Sequence, residues 1–373
     1  MSVINLKSKT DLSGFYVVYD GSVMNEYNGI YGISHLSEHL LCSQFKHLYD
    51  EFEQHGIKWN AYTSSTLINF HMTGLDEYVN KYKKVFLDTL FNFKITQEQF
   101  DNEKKIVMEE YKDSFNSQSE SHGSNLMRKL FGHYGPIGSK EDLEGMTLSD
   151  MNDFAKYQYS SPSKIINVSK HSEFDGSGYE FNQTKFDNRL YYDKYDYVLE
   201  ESNDFKNKSS VINLSKIITD DIPQIKVVAS MLGAGLQSPL YKEIREKRGL
   251  VYYIHCYFDQ VTKNDGLVVI SSETSNDNVK EFQDVLGDVL DNPKKHLTRE
   301  RFDIVKQSLE ITFKQNEINR YSNVNQYLTL EKNRLEPVLS KMTYEDVLTV
   351  YDKYFKFDDF YKSIDKDEFS DKK

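Results

Sequence analysis

Ile95-Thr96-Gln97-Glu98-Gln99-Phe100-Asp101 returns in the second half of the chain as Leu297-Thr298-Arg299-Glu300-Arg301-Phe302-Asp303. A second pair follows in the same order, with the run from Met146 to Phe154 resembling the run from Met342 to Val350. The offsets, 202 and 196 positions, are nearly equal and close to half of the 373 residues. One shared string could be chance. Two in the same order at similar spacing favour an internal duplication, a period that has to be recognised before single elements are placed. The chain therefore reads as two tandem α+β domains, residues 1–180 and 181–373, each a mostly antiparallel sheet packed with helices. The Gly-, Ser-, Asn- and Asp-rich stretch from His171 to Asn188 has no periodicity and reads as the linker.

Working outward through the first half, Phe15 to Tyr19 is a β-rich run closed by Asp20-Gly21. Phe45 to Gln54 reads as one helix ended by Gly56. Trp59 to Thr63 and Leu67 to Thr73 read as two strands joined by the polar turn Ser64-Ser65-Thr66. Tyr78 to Phe93 is helical, with Val79, Tyr82, Val85, Phe86 and Leu90 on its apolar face. Thr96 opens a long helix with Gln99 three residues on, a capping-box pattern, and the polar run Asn116 to Ser121 loosens or breaks it. Thr147 with Asp150 caps another helix, and Ile165 to Val168 is a strand after Ser161-Pro162-Ser163.

Composition narrows the function. The net charge is −12 and no block of Lys or Arg stands out, which argues against nucleic acid or an anionic membrane as the main partner. Cys42 and Cys256 are the only cysteines, too few for a disulfide framework and in keeping with a reducing compartment. The first residues carry no apolar signal segment, and no apolar run approaches the roughly 20 residues of a membrane span. A soluble, cytoplasmic or otherwise intracellular protein is the expectation. The abundance of Asn, Lys, Tyr and Phe suggests an AT-rich coding genome, viral origin included.

The chemistry lies in His35-Leu36-Ser37-Glu38-His39. The run from Ile33 to Leu41 has no Pro or Gly and reads as helix, on which positions i, i+3 and i+4 share one face. Two imidazoles four apart can each give a lone pair to one tetrahedral zinc ion. Glu38, on the same face, is placed to take a proton from the attacking water. Paired histidines on a helix are also ordinary core or surface residues, so the string needs a third ligand and a matching scaffold. Glu103, Glu109 and Glu110 lie on the helix opened by Thr96. Glu103 and Glu110 are two turns apart on one face, and Glu109 is rotated by about 100° from Glu110. Acidic residues on a helix are most often a solvated face.

In the second half Gly235 answers Gly32, and at that register His35, Glu38 and His39 fall opposite Ser238, Tyr241 and Lys242. None of these three makes a zinc site. One half therefore has residues that could hold a metal at this position and the other does not, an asymmetric pair.

On these residues the chain resembles the pitrilysin, insulin-degrading enzyme and mitochondrial processing peptidase family, the inverzincin zinc metallopeptidases, in a half-size, two-domain form. H-L-S-E-H matches the zinc helix of that family, W-N-A-Y-T its N-A-x-T substrate strand, and E-K-K-I-V-M-E-E its helix with two glutamates seven apart. R-E-K-R-G-L-V-Y matches its second-half R-x6-Y signature. The similarity runs in register from about Phe15 to Phe355. The 71 positions from His39 to Glu110 are a few fewer than usual there.

The resemblance implies one zinc ion per chain on His35, His39 and Glu110, with Glu38 as general base and Glu103 as the partner of a ligating imidazole. It implies that Asn60, Ala61, Tyr62 and Thr63 pair with an extended peptide or unfolded protein segment, although such a sequence is as often a plain core hairpin. It implies that Arg245 and Tyr252 donate hydrogen bonds to the substrate carbonyl and the tetrahedral oxyanion, although by spacing alone they are a surface Arg and a half-buried Tyr. It implies a homodimer closing around a chamber, in which that pair reaches the partner's metal site. Nucleic acid and membrane are not expected partners. The expected activity is zinc-dependent endopeptidase. A non-catalytic binding or structural subunit on the same fold, or a virus-encoded maturation protease with one dedicated substrate, are the alternatives.

Overall fold

The computed structural model describes residues 3–26, 30–116, 118–131, 135–181, 198–203, 209–261, 265–318, 324 and 334–367. The chain divides into two compact units, Met1–Tyr191 and Tyr192–Lys373. The first contains β1 (Val3–Lys7), β2 (Leu12–Asp20), α1 (Ile33–Ser43), α2 (Tyr49–Gln54), β3 (Lys58–Thr63) and β4 (Leu67–Leu75). It continues with α3 (Asp76–Phe91), α4 (Gln97–Asn116), α5 (Gln118–Phe131), α6 (Lys140–Gly145), α7 (Leu148–Gln158) and β5 (Lys164–Ser169). The second contains β6 (Val198–Asn203), β7 (Ser209–Ile218), α8 (Ile222–Gly233), a π-helical turn (Tyr241–Glu246), β8 (Val251–Gln260) and β9 (Gly266–Ser275). After β9 come α9 (Val279–Asp291), α10 (Pro293–His296), α11 (Arg299–Ile318), the helices Glu336–Leu339 and Tyr344–Tyr354, and β10 (Tyr361–Asp367).

The duplication is complete at the level of topology. The first sheet runs β1-β5-β2-β4-β3 and the second β6-β10-β7-β9-β8, the same order strand for strand. Each has a parallel pair, β1 with β5 and β6 with β10, followed by antiparallel neighbours. The fold is α+β with two mostly antiparallel sheets.

Side-chain details repeat as well. Thr147 and Asp150 form a full capping box on α7, and Thr343 and Asp346 form its counterpart on Tyr344–Tyr354. Lys104 on α4 donates to the carbonyls of Glu144 (2.8 Å) and Met146 (2.9 Å). Lys306 on α11 makes the same pair of bonds to Ser340 (3.1 Å) and Met342 (3.0 Å).

The first unit packs its helices on Phe15, Val17, Ile68, Phe70 and Met72, the alternate residues of β2 and β4, as the two-residue period of a strand requires. The hairpin of β3 and β4 is in place, with Thr63 opposite Ile68. The helix expected at Tyr78 starts two residues earlier and stops at Phe91. The one helix expected over Phe45 to Gln54 is instead a 3-10 turn, Gln44–Leu48, leading into α2. In a 3-10 turn residues three apart eclipse one another, so Phe45 and Leu48 are buried together. Residues 171–181 of the expected linker carry no helix or strand, and 182–188 lie outside the described residues. No helix among the described residues is long and apolar enough to cross a membrane.

Candidate metal centre

Helix α1 starts at Gly32, whose φ of 92° is a left-handed conformation that favours glycine. A side chain there would also collide with the backbone of Ile137 and Gly138. The Glu26 carboxylate accepts from the backbone N–H groups of Gly32 and Ser34 (3.2 Å each), which satisfies two of the free donors at the helix start. Burial pushes that carboxyl up to about 8.

Leu36 and Leu40 bury one face of α1 against Phe100 and Val107 of α4. On α4, Glu103 lies one turn from Phe100 and Val107, and Glu110 lies on the next turn of the same side. The two helices therefore meet with a hydrophobic contact flanked by the polar groups of the site.

The Nε2 atoms of His35 and His39 stand 3.6 and 3.5 Å from the same Glu110 carboxylate oxygen, Oε2. One ligand atom from each of the three residues lies within 4.8 Å of the others, the only such group of three His, Cys, Asp or Glu among the described residues. Two ligands at about 2.05 Å on tetrahedral directions around zinc stand about 3.3 Å apart. The donor set, two imidazole nitrogens and one carboxylate oxygen at this spacing, fits zinc. Burial and the neighbouring His39 push the His35 imidazole down to about 4, so at neutral pH it is uncharged and keeps a lone pair for a metal.

Around these three stand the other groups. Glu103, 7% exposed, places Oε2 3.7 Å from His39 Nδ1 and Oε1 3.6 Å from the Lys46 ammonium. Glu38 is buried and accepts a 2.6 Å hydrogen bond from the Thr63 hydroxyl at the end of β3. Burial raises its carboxyl above the usual range, the Thr63 bond and His39 draw it back, and Glu110 adds to the rise. Glu109, the acid left open by the sequence, points away and pairs with Lys112 at 2.6 Å.

Asn60, Ala61, Tyr62 and Thr63 lie on β3, which among the described residues is the edge of its sheet, hydrogen-bonded to β4. Ala61 is buried in the core, while Asn60 is exposed.

Arg245 and Tyr252 belong to the second unit, where they meet each other. The Arg245 guanidinium lies 4.9 Å from the ring centres of both Tyr241 and Tyr252, and the Tyr252 side chain is 81% exposed. A π-helical turn carries Tyr241 and Arg245, an irregularity frequent at functional sites. Thr63 as the partner of Glu38, Lys46 and Tyr241 are absent from the sequence reading of the site. Tyr241 alone had a signal, four residues before Arg245.

Comparison with known proteins agrees with this picture. A family profile described as insulinase (peptidase family M16) matches residues 3–135, and a second, described as the peptidase M16 inactive domain, matches residues 206–309. AlbF of Bacillus subtilis, named provisionally as a zinc protease, is 29% identical over 134 residues, which is 35% of this chain and 32% of that protein. The match thus spans about a third of that relative. YmxG of the same organism, named an uncharacterized zinc protease, is 20% identical over 281 residues, 70% of this chain and 68% of that one. Among solved structures, a protease from Helicobacter pylori superposes with a TM-score of 0.83 at 19% identity, covering 98% of this chain and 96% of that one. At that identity the likeness establishes the fold alone.

Proposed function

The chain belongs to the M16 peptidase family, and we propose that it is a zinc-dependent endopeptidase acting on peptides or unfolded segments bound in extended form. The observation that carries this is the meeting of His35, His39 and Glu110, residues 71 positions and two helices apart, beside a buried carboxylate on the same face of α1. Relatives bear the name of zinc protease.

His35, His39 and Glu110 hold the zinc, which when bound supplies Lewis acidity to the attacking water and the scissile carbonyl. Glu38 accepts a proton from that water and later returns one to the leaving amine. Burial raises its affinity for protons above that of an ordinary carboxylate, which favours a group that takes up a proton and then gives it back. The Glu103 carboxylate, 3.7 Å from His39 Nδ1, favours the tautomer with the proton on that nitrogen and so presents Nε2 to the metal. The open side of β3 takes a substrate backbone as an added strand. Arg245 and Tyr252 stabilise the substrate carbonyl and the oxyanion, reaching the metal site of a second copy in a homodimer.

Cleavage of a quenched peptide tests the reading. The wild type cleaves it, a chelator abolishes cleavage, and Glu38→Gln lowers kcat by about 10²- to 10⁴-fold with zinc retained. Normal turnover by Glu38→Gln refutes the assignment. A non-catalytic subunit is the second reading, favoured by the match to an inactive-domain profile. That match falls on residues 206–309, the half without the metal residues, and full metal loading with no cleavage of any peptide in a library would establish it.

A further inference from the structure

We propose that Thr63 is a positioning residue for Glu38, locking the carboxylate of the base to the end of the strand along which substrate is seated. The inference rests on the peptidase reading above and deepens it. Thr63 sits inside the stretch expected to touch substrate, but its hydroxyl is turned inward and donates to Glu38 Oε2 at 2.6 Å, a short, charge-assisted bond. It bridges residues 25 positions apart, the last residue of β3 and the second turn of α1.

Both ends of the bridge are stiff. Thr63 is β-branched, with restricted χ1, and its backbone is fixed by pairing opposite Ile68. The next residue, Ser64, closes the turn through a backbone bond to Leu67 at 2.9 Å, and its hydroxyl accepts from the N–H groups of Thr66 and Leu67. Glu38, for its part, stands on a helix whose Leu36, Leu40 and Leu41 are wholly buried. With Oε2 held by the hydroxyl, Oε1 is the oxygen left to meet the water. A glutamate carboxylate, carried on three torsions, spends little time in one such orientation when nothing holds it, and holding it there is what a supporting hydrogen bond contributes to catalysis.

Coupling follows from the same bond. An extended peptide pairing with β3 bonds to the backbone of the strand that ends in Thr63, so seating of substrate and orientation of the base share one rigid piece. Side chains one strand position away have no such link, because Tyr62 points to the opposite face of the sheet.

Thr63→Val, nearly the same shape without the hydroxyl, tests the proposal. The expected result is a fall in kcat of about 10- to 100-fold with KM and zinc content unchanged, and recovery of most of the loss by Thr63→Ser. A rise in KM with kcat unchanged, or a drop in melting temperature with kcat intact, overturns it. A second readout is independent of turnover: a crystal structure of Thr63→Val shows the Glu38 carboxylate moved from its wild-type rotamer. An unmoved Glu38 overturns the inference even if the wild type cleaves nothing, and a moved one supports it. Absence of wild-type cleavage on its own counts against the peptidase reading.

Discussion

The two units are built from one plan and differ where it matters. Strand order, the parallel first pair, the capping boxes of Thr147 and Thr343, and the bonds of Lys104 and Lys306 to paired carbonyls are the same in both. In the order of elements α8 stands at the place of α1 and carries no His, Cys, Asp or Glu, the π-helical turn Tyr241–Glu246 stands at the place of α2, and at the places of Glu103 and Glu110 are Val305 and Thr312. The first unit therefore gathers nitrogen and carboxylate ligands on two packed helices, whereas the second places a guanidinium 4.9 Å from each of two tyrosine ring centres. Scaffold and chemistry have separated: what the duplicated copies keep is what folds them, and what they have lost or gained is side chains on one turn of helix and its neighbour.

The comparison breaks most visibly in a mixing experiment. If the metal of one copy works with Arg245 and Tyr252 of another, Glu38→Gln and Tyr252→Phe are each nearly inactive alone. Mixed and allowed to exchange, they recover about a quarter of wild-type activity, because half the dimers are mixed and each of those has one intact site. No recovery, with exchange verified, places both residues of the pair in one chain's own site or outside catalysis.

The next effect sharpens the difference between Glu103 and its counterpart Val305. Glu103→Gln should lower zinc affinity or kcat by about 10- to 100-fold, the usual cost of losing a partner to a ligating imidazole, whereas Val305→Ala should change stability alone. Titration with a competing chelator measures the first and urea unfolding the second.

The smallest effect tests what the copies share. Lys104→Met and Lys306→Met each remove two bonds from a charged donor and should each cost about 1.5 kcal/mol of stability, with zinc content unchanged. A cost confined to one of them means the repeated bonds are an inheritance that only one unit still uses.

Much of this was readable in the sequence. Local signals were sufficient for α1, the β3–β4 hairpin, the starts of α4 and α7, and the duplication, since each is written in neighbouring residues or in a repeated string. The outer strands were not. β1 is five residues long and pairs in parallel with β5, Val3 opposite Ile165, so nothing near it in the chain announces its partner. β6 and β10 repeat the case. The 3-10 turn at Gln44–Leu48 is set by packing of Phe45 and Leu48 rather than by propensity. At the site, two histidines and a glutamate at helical spacing were visible, and the resemblance selected Glu110 over Glu109; the structure places the first at the imidazoles and the second on Lys112. The bond between Thr63 and Glu38 depends on how a strand end meets a helix, which spacing alone does not encode.

The central claim is that three residues of the first unit, and none of the second, form the metal site. Elemental analysis of the purified wild type and of Glu110→Gln, after dialysis against trace zinc, tests it most directly. About one zinc ion per wild-type chain, and a loss of most of it in Glu110→Gln with the fold intact by circular dichroism, is the predicted result. Zinc retained in full by the variant, or never taken up by the wild type, contradicts it.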